Sequence, residues 1–135
     1  GNLGAQLRTV EELMITGNKI PFVNENLNMK KALQIISKKK LGTLIVQNNK
    51  RITTGIITDG QIRRFNGMSN NLQDLSVKKV MTKNPVSINQ DTLAEKALSI
   101  MNTKKITSLC VHKDMNTKKT VGILHIHNIL QSNIL

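Results

Sequence analysis

Gly55-Ile56-Ile57-Thr58 recurs as Gly122-Ile123-Leu124-His125, an offset of 122 − 55 = 67 residues, and this recurrence decides the fold because it extends over almost the whole chain. Leu13-Met14 is matched by Val80-Met81 at the same offset, 81 − 14 = 67, and Val10 by Val77. Across residues 23–47 the best match lies 65 residues on, where nine of 25 positions are identical, among them Lys31-Ala32-Leu33 with Lys96-Ala97-Leu98 and Leu44 with Leu109. The first copy thus carries two extra residues near 16–20 and the second two near 114–119. Both changes fall in expected loops, where added length costs little. A repeat at fixed spacing reports architecture before any single residue does.

Each copy reads the same way locally. Thr9 followed by Glu12 makes a capping box that opens a short helix ending near Met14. Ile20-Pro21-Phe22-Val23 and Pro85-Val86-Ser87-Ile88 are brief strands, and their prolines place them at a sheet edge or a strand start. A main helix follows. In the second copy Thr92 with Glu95 predicts another capping box, and Leu93, Ala94, Ala97, Leu98 and Met101 line one apolar face; Met29, Ala32, Leu33 and Ile36 do so in the first. Strands at 43–46 and 52–57, and at 108–112 and 120–124, are separated by turn-forming Asn48-Asn49 and by residues 114–116. A closing helix ends each copy.

The expected order is therefore helix, strand, helix, strand, strand, helix, twice, in a mixed α/β (α+β) fold of two small sheets packed with helices. A copy of about 55 residues buries little surface alone, so the two sheets are expected to pack together. The expected boundaries are a leading linker at 1–8, repeat one at 9–67, a connector at 68–75 and repeat two at 76–135.

Composition narrows the function. The 135 residues are 39% hydrophobic, and no run approaches the roughly 18 apolar residues of a membrane span. The opening Gly1-Asn2-Leu3-Gly4-Ala5-Gln6 has no secretory signal and no initiator methionine, so it reads as a piece cut from something longer. Cys110 is the only cysteine, which excludes an internal disulfide and suits a reducing, cytoplasmic compartment. The charge of 20 − 8 = +12 raises nucleic acid as a partner. Against it, 16 of the 20 basic residues are Lys and four are Arg, whereas bidentate recognition favours the arginine fork. Phe22 and Phe65 are the only aromatics, too few for a base-stacking platform. Neither a nucleic-acid nor a membrane partner is expected.

The Met81-Thr82, Ala32-Leu33, Ala97-Leu98, Gly55-Ile56-Ile57-Thr58 and Gly122-Ile123-Leu124 elements, two copies in register, resemble the CBS family. Adding Gly1-Asn2-Leu3-Gly4, Asp59-Gly60 with Arg63-Arg64, and His125-Ile126-His127-Asn128-Ile129-Leu130, the chain is similar to the C-terminal part of arabinose 5-phosphate isomerases. The resemblance implies repeats related by a pseudo-two-fold and a missing N-terminal sugar isomerase (SIS) domain of the same chain. It also implies a homo-oligomer assembled through CBS pairs. The parent would interconvert ribulose 5-phosphate and arabinose 5-phosphate for Kdo and lipopolysaccharide synthesis, while the fragment itself is non-catalytic and needs no cofactor. The alternatives are a nucleotide-sensing CBS module of another enzyme or transporter and, behind it, a nucleic-acid-binding module.

The resemblance also implies ligand clefts. The first would use Ile20, Pro21, Phe22, Thr43, Thr58, Asp59, Gln61 and Arg64, and the second Pro85, Val86, Ser108, His125, His127 and Asn128. The effector implied is a nucleotide or a nucleotide sugar of the CMP-Kdo type. Two positions depart from the family pattern: Gln61 and Asn128 stand where a ribose-binding Asp is usual. Losing that charge weakens ribose binding by about tenfold, since a hydrogen bond to a charged group is worth about 1.5–3 kcal/mol against about 1 for a neutral one. His125 likewise replaces a usual Ser or Thr. His125-x-His127 with His112 suggests a metal set, but no Cys or paired carboxylate completes it, and no metal is expected. Cys110, between Leu109 and Val111, reads as a core residue.

Overall fold

In chain order the elements are a four-residue helix α1 (Val10–Leu13), a 3-10 turn (Gly17–Lys19), β1 (Phe22–Asn24), α2 (Met29–Lys39), β2 (Thr43–Gln47), β3 (Thr53–Thr58) and α3 (Asp59–Asn66). A second 3-10 turn (Leu72–Asp74) then leads into α4 (Val77–Val80), β4 (Thr82–Lys83), β5 (Ser87–Asn89), α5 (Ala94–Lys104), β6 (Ser108–His112), β7 (Thr120–His125) and α6 (Ile126–Leu130). The computed structural model describes residues 7–39, 41–66 and 71–132. The Gly1-Asn2-Leu3-Gly4 string, most of the expected leading linker and part of the expected 68–75 connector lie outside the described residues. No helix among the described residues is long and apolar enough to cross a membrane.

Two sheets form, in the order β1-β2-β3-β4 and β5-β6-β7. β1 runs parallel to β2 and β5 to β6, each pair joined through its long helix, as a parallel pair requires a crossover. β2 with β3 and β6 with β7 are antiparallel hairpins, each with a register shift near its loop, at Val46/Gln47 and Val111/His112. Arg51 and Lys118, equivalent by the 67-residue offset, both turn those loops at positive φ, 62° and 54°.

The chain separates into two units: unit 1 joins the segment up to Ile20 to everything from Val86 onward, and unit 2 is Pro21–Pro85. These units differ from the sequence repeats because each repeat's opening helix completes the other repeat's core. In unit 1 the N–H of Ala94 donates to Arg8 O (2.8 Å), that of Val10 to Thr92 O (2.8 Å) and that of Glu11 to Gln90 O (3.0 Å). Unit 2 repeats the pattern, with Met29 N–H to Leu75 O (2.8 Å), Val77 N–H to Leu27 O (2.7 Å) and Lys78 N–H to Glu25 O (2.9 Å). Val10 is accordingly buried with Ala94, Ala97, Met101, Leu109 and Leu124. Val77 and Val80 are buried with Met29, Ala32, Ile36, Leu44 and Ile57. Each large apolar side chain so buried stabilises by about 1.5–3 kcal/mol.

The exchange corrects one local expectation. Thr9 and Glu12 do open α1, with Thr9 N–H donating to Glu12 Oε1 (3.1 Å); that bond is the main reason the Glu12 carboxyl titrates below its usual range. Thr92 and Glu95 do not form the second box. α5 begins at Ala94, with Leu93 as cap residue and no side-chain cap, because the Thr92 carbonyl and the Ala94 N–H are already paired with residues 10 and 8. In the first copy Asn28 caps α2 instead, accepting from Lys31 N–H (3.0 Å).

Glycine makes the docking sterically feasible. A Cβ at Gly55 would collide with the Met81 sulfur, lie 2.7 Å from its Cγ and 2.9 Å from Thr82 O. At Gly122 it would collide with the Met14 sulfur and lie 2.8 Å from its Cγ. Gly55→Ala and Gly122→Ala are each expected to lower unfolding free energy by about 1–3 kcal/mol in urea titrations, the usual cost of overpacking. The double variant Gly55→Ala/Met81→Ala should be less destabilised than the sum of its parts.

Candidate functional site

Thr43, Thr58, Asp59, Gln61 and Arg64, and Ser108, His125, His127 and Asn128, lie on the elements that form the two strand-to-helix corners, where β3 enters α3 and β7 enters α6, whereas Ile20 falls in unit 1 and Pro85 in unit 2. In unit 2, Thr43 pairs across the sheet with Thr58, and Phe22 with Ile45. The Pro21 carbonyl accepts from Ile45 N–H at 2.9 Å. Thr58 and Gln61 cap α3 reciprocally. Gln61 N–H donates to Thr58 Oγ1 (3.3 Å), while Thr58 N–H donates to Gln61 Oε1 (2.9 Å). Gln61 Nε2 in turn donates to the hydroxyl of Thr82 in β4. Asp59 N–H donates to Gly42 O at 3.0 Å, and the Asp59 carboxylate lies over Gly42, whose φ is +69°. Asp59 and Arg64 are exposed, and Arg64 folds back so that a Cβ at Gly60 would meet its guanidinium at 3.4 Å.

Unit 1 builds the same corner from different side chains. Ser108 pairs with His125, and the Val86 carbonyl accepts from Cys110 N–H at 3.2 Å, as Pro21 does from Ile45. Ile126 N–H donates to Thr107 O (2.8 Å), the counterpart of Asp59 to Gly42. Asn128 Oδ1 accepts from His125 N–H (2.8 Å), and His125 Nδ1 accepts from His127 N–H (3.1 Å). The strand ends at His125, yet the His125 and His127 rings still stack, centroids 4.7 Å apart and 23° between planes. Burial, and then the neighbouring His127, push His125 below the usual imidazole range. Because its Nδ1 accepts, the neutral His125 ring carries its proton on Nε2.

In unit 1 these bonds occupy Asn128 Oδ1 and His125 Nδ1 as acceptors, and leave Asn128 Nδ2 and His125 Nε2–H as donors beside the Ser108 hydroxyl. Such a set matches a ligand rich in acceptors, a phosphate or carboxylate, better than the hydroxyls of a ribose. Ile20 and Pro85 end the two segments at which the chain passes between units. Ile20 is buried and closes the first 3-10 turn onto Gly17 O (3.2 Å). Sequence reasoning missed Thr82 as a site residue, although it belongs to the Met-Thr signature that marked the repeat.

Cys110 and His112 lie apart from these corners. Cys110 is fully buried and its thiol is pushed up to about 12, chiefly by burial. His112 is 4% exposed, with Nε2 at 3.4 Å from Thr120 Oγ1 and a buried Nδ1 that has no partner among the described residues. Burial pushes it below the imidazole range. Among the described residues no three His, Cys, Asp or Glu side chains come together to hold a metal ion.

Two solution measurements follow from these groups. Both histidines titrate below 6.5 when folded, so below that pH the unfolded chain binds more protons than the native one. The stability these two groups contribute is complete above about pH 6.5 and is lost as pH falls through the folded values. Thermal melts at decreasing pH should therefore show a falling Tm, with a shallower slope in His112→Leu. Cys110 should resist a thiol reagent in the native protein and react on denaturation.

A model of the CBS domain matches the chain twice, over residues 10–66 and 77–133. The chain is 41% identical over 134 residues to arabinose 5-phosphate isomerase KdsD of Francisella tularensis, covering 97% of this chain and 39% of that protein. It is 32% identical over 136 residues to KdsD of Salmonella typhi, covering 100% of this chain and 40% of that one. It thus spans about two fifths of these curated relatives. Among solved structures, CBSX2 in complex with AMP is similar with a TM-score of 0.80 and 24% identity, covering 92% of this chain and 94% of that one. The doubled match, spanning both repeats found by self-comparison, shows that the chain belongs to the CBS domain family, as a tandem CBS pair similar to a region of the arabinose 5-phosphate isomerases.

Proposed function

We propose that this chain is the regulatory and oligomerising CBS pair of a cytoplasmic arabinose 5-phosphate isomerase. On this reading it senses an acidic effector on behalf of a catalytic SIS domain elsewhere in the same polypeptide. The observation that carries the reading is 41% identity to KdsD across 97% of the chain. Catalysis, the interconversion of ribulose 5-phosphate and arabinose 5-phosphate toward Kdo and lipopolysaccharide, belongs to the parent enzyme. This chain contributes recognition.

The recognition chemistry supports an anionic ligand. Ser108, His125 and Asn128 offer donors at one corner, and the chain as a whole carries +12, which draws anions by long-range attraction. A nucleotide sugar such as CMP-Kdo combines a phosphate and a carboxylate in one molecule. It would report the level of the end product to the enzyme that starts its synthesis. AMP, the ligand named with CBSX2, is the natural comparison probe.

A thermal-shift screen of AMP, CMP and CMP-Kdo tests the reading. A ligand at 100 times its Kd adds about 2.7 kcal/mol to folding, a Tm rise of roughly 10 °C for a domain of this size. CMP-Kdo is expected to give the largest shift; no shift with any of the three would refute effector sensing. Asn128→Asp keeps the oxygen that caps His125 and replaces the amide donor with a carboxylate oxygen. Affinity for CMP-Kdo should then fall about tenfold or more, while a neutral nucleoside such as adenosine should lose none.

A further inference from the structure

We infer that the two corners are unequal: the unit 2 corner is tied shut by the Gln61–Thr82 hydrogen bond, and the effector uses the Asn128 corner of unit 1. This rests on the effector reading above. The orientation of the Gln61 amide follows from chemistry, because the Thr58 backbone N–H can only donate and therefore faces Oε1, at 2.9 Å. The amide nitrogen is left to face Thr82, whose hydroxyl accepts.

Gln61 is consequently anchored at both ends. Its oxygen holds the end of β3, and its nitrogen holds the first residue of β4, whose main chain pairs at Thr82 with Ile56 of β3. A ligand seeking that amide finds one N–H already given to Thr82 and the other held in a fixed direction, on a side chain pinned between two strands and a helix. The position equivalent to Thr82 in unit 1 is 82 − 67 = 15, which is Ile15. Isoleucine has no hydroxyl to accept. Asn128 is also one methylene shorter than glutamine and is held through Oδ1 to His125 N–H. Among the described residues no hydrogen bond reaches its nitrogen. One offset therefore relates a locked amide to a free one, and the hydroxyl that locks the first, Thr82, is replaced by Ile15 beside the second.

Calorimetric titration of the full 135-residue chain with CMP-Kdo and with AMP decides the matter. Wild type should bind one equivalent per chain, and Asn128→Leu should weaken it at least about tenfold. Thr82→Val keeps the shape of an exposed side chain and removes the acceptor; it should expose a second equivalent. Thr82→Ser keeps the hydroxyl and should restore the single equivalent, which separates the lock from any loss of folding. Two equal equivalents in the wild type, or a Thr82→Val titration identical to wild type, would overturn the inference while leaving the effector reading intact. Absence of binding by both probes to both wild type and Thr82→Val would overturn the effector reading itself.

Discussion

A methionine thioether lying across a strand at a residue with no side chain is the contact on which the rest of the structure depends. Met81 crosses β3 at Gly55 and Met14 crosses β7 at Gly122, so close that a single added methyl group has no room. Only with that clearance can the segment after each short helix reach the edge of the neighbouring strand. There it continues the sheet, as β4 beside β3 and as the Ile15–Ile123 bridge beside β7, with N–H to O distances of 2.9 and 3.0 Å in the latter. The backbone bonds at the starts of α2 and α5 fix the other end of each segment. A unit of 65 or 70 residues has a poor ratio of buried to exposed surface. Taking in a valine-bearing helix from the other repeat adds core to each, and the two repeats become complete through one another's leading segments.

The same economy shapes the corners where ligands are expected. A helix start needs acceptors for its free N–H groups, and in both corners the side chain three residues in turns its oxygen back to supply one. A carboxylate in that place would cap with one oxygen and present the other, negatively charged, to a ligand. An amide caps equally well but presents a donor. The amides of Gln61 and Asn128 both keep the cap, but at Asn128 the nitrogen is left without a hydrogen bond among the described residues, whereas at Gln61 it donates to Thr82. His125 acts in the same direction, since its accepting nitrogen is turned to the His127 N–H.

The repeat, the order of elements, the Thr9–Glu12 cap, the bounds of the strand at 108–112 and the core placement of Cys110 could all be read in the amino-acid sequence. Each is expressed in residues close together along the chain, through helical or strand periodicity, capping pairs and glycine positions. The family also followed from sequence, because two degenerate copies in register constrain each other. Self-comparison located the Gly-apolar-apolar stretch that precedes each strand-to-helix corner, while the ligand role of the corners is implied only by the resemblance to the family. The tertiary structure alone decided which repeat each opening helix completes, why Thr92 and Glu95 leave their cap unmade, that Thr82 and Lys83 form a strand, and that Gln61 is bound at both ends while Asn128 is bound at one. Those outcomes depend on main-chain groups and side chains some twenty to eighty residues apart competing for the same partners. A local pattern records which groups need a partner; the folded chain determines which partner is within reach.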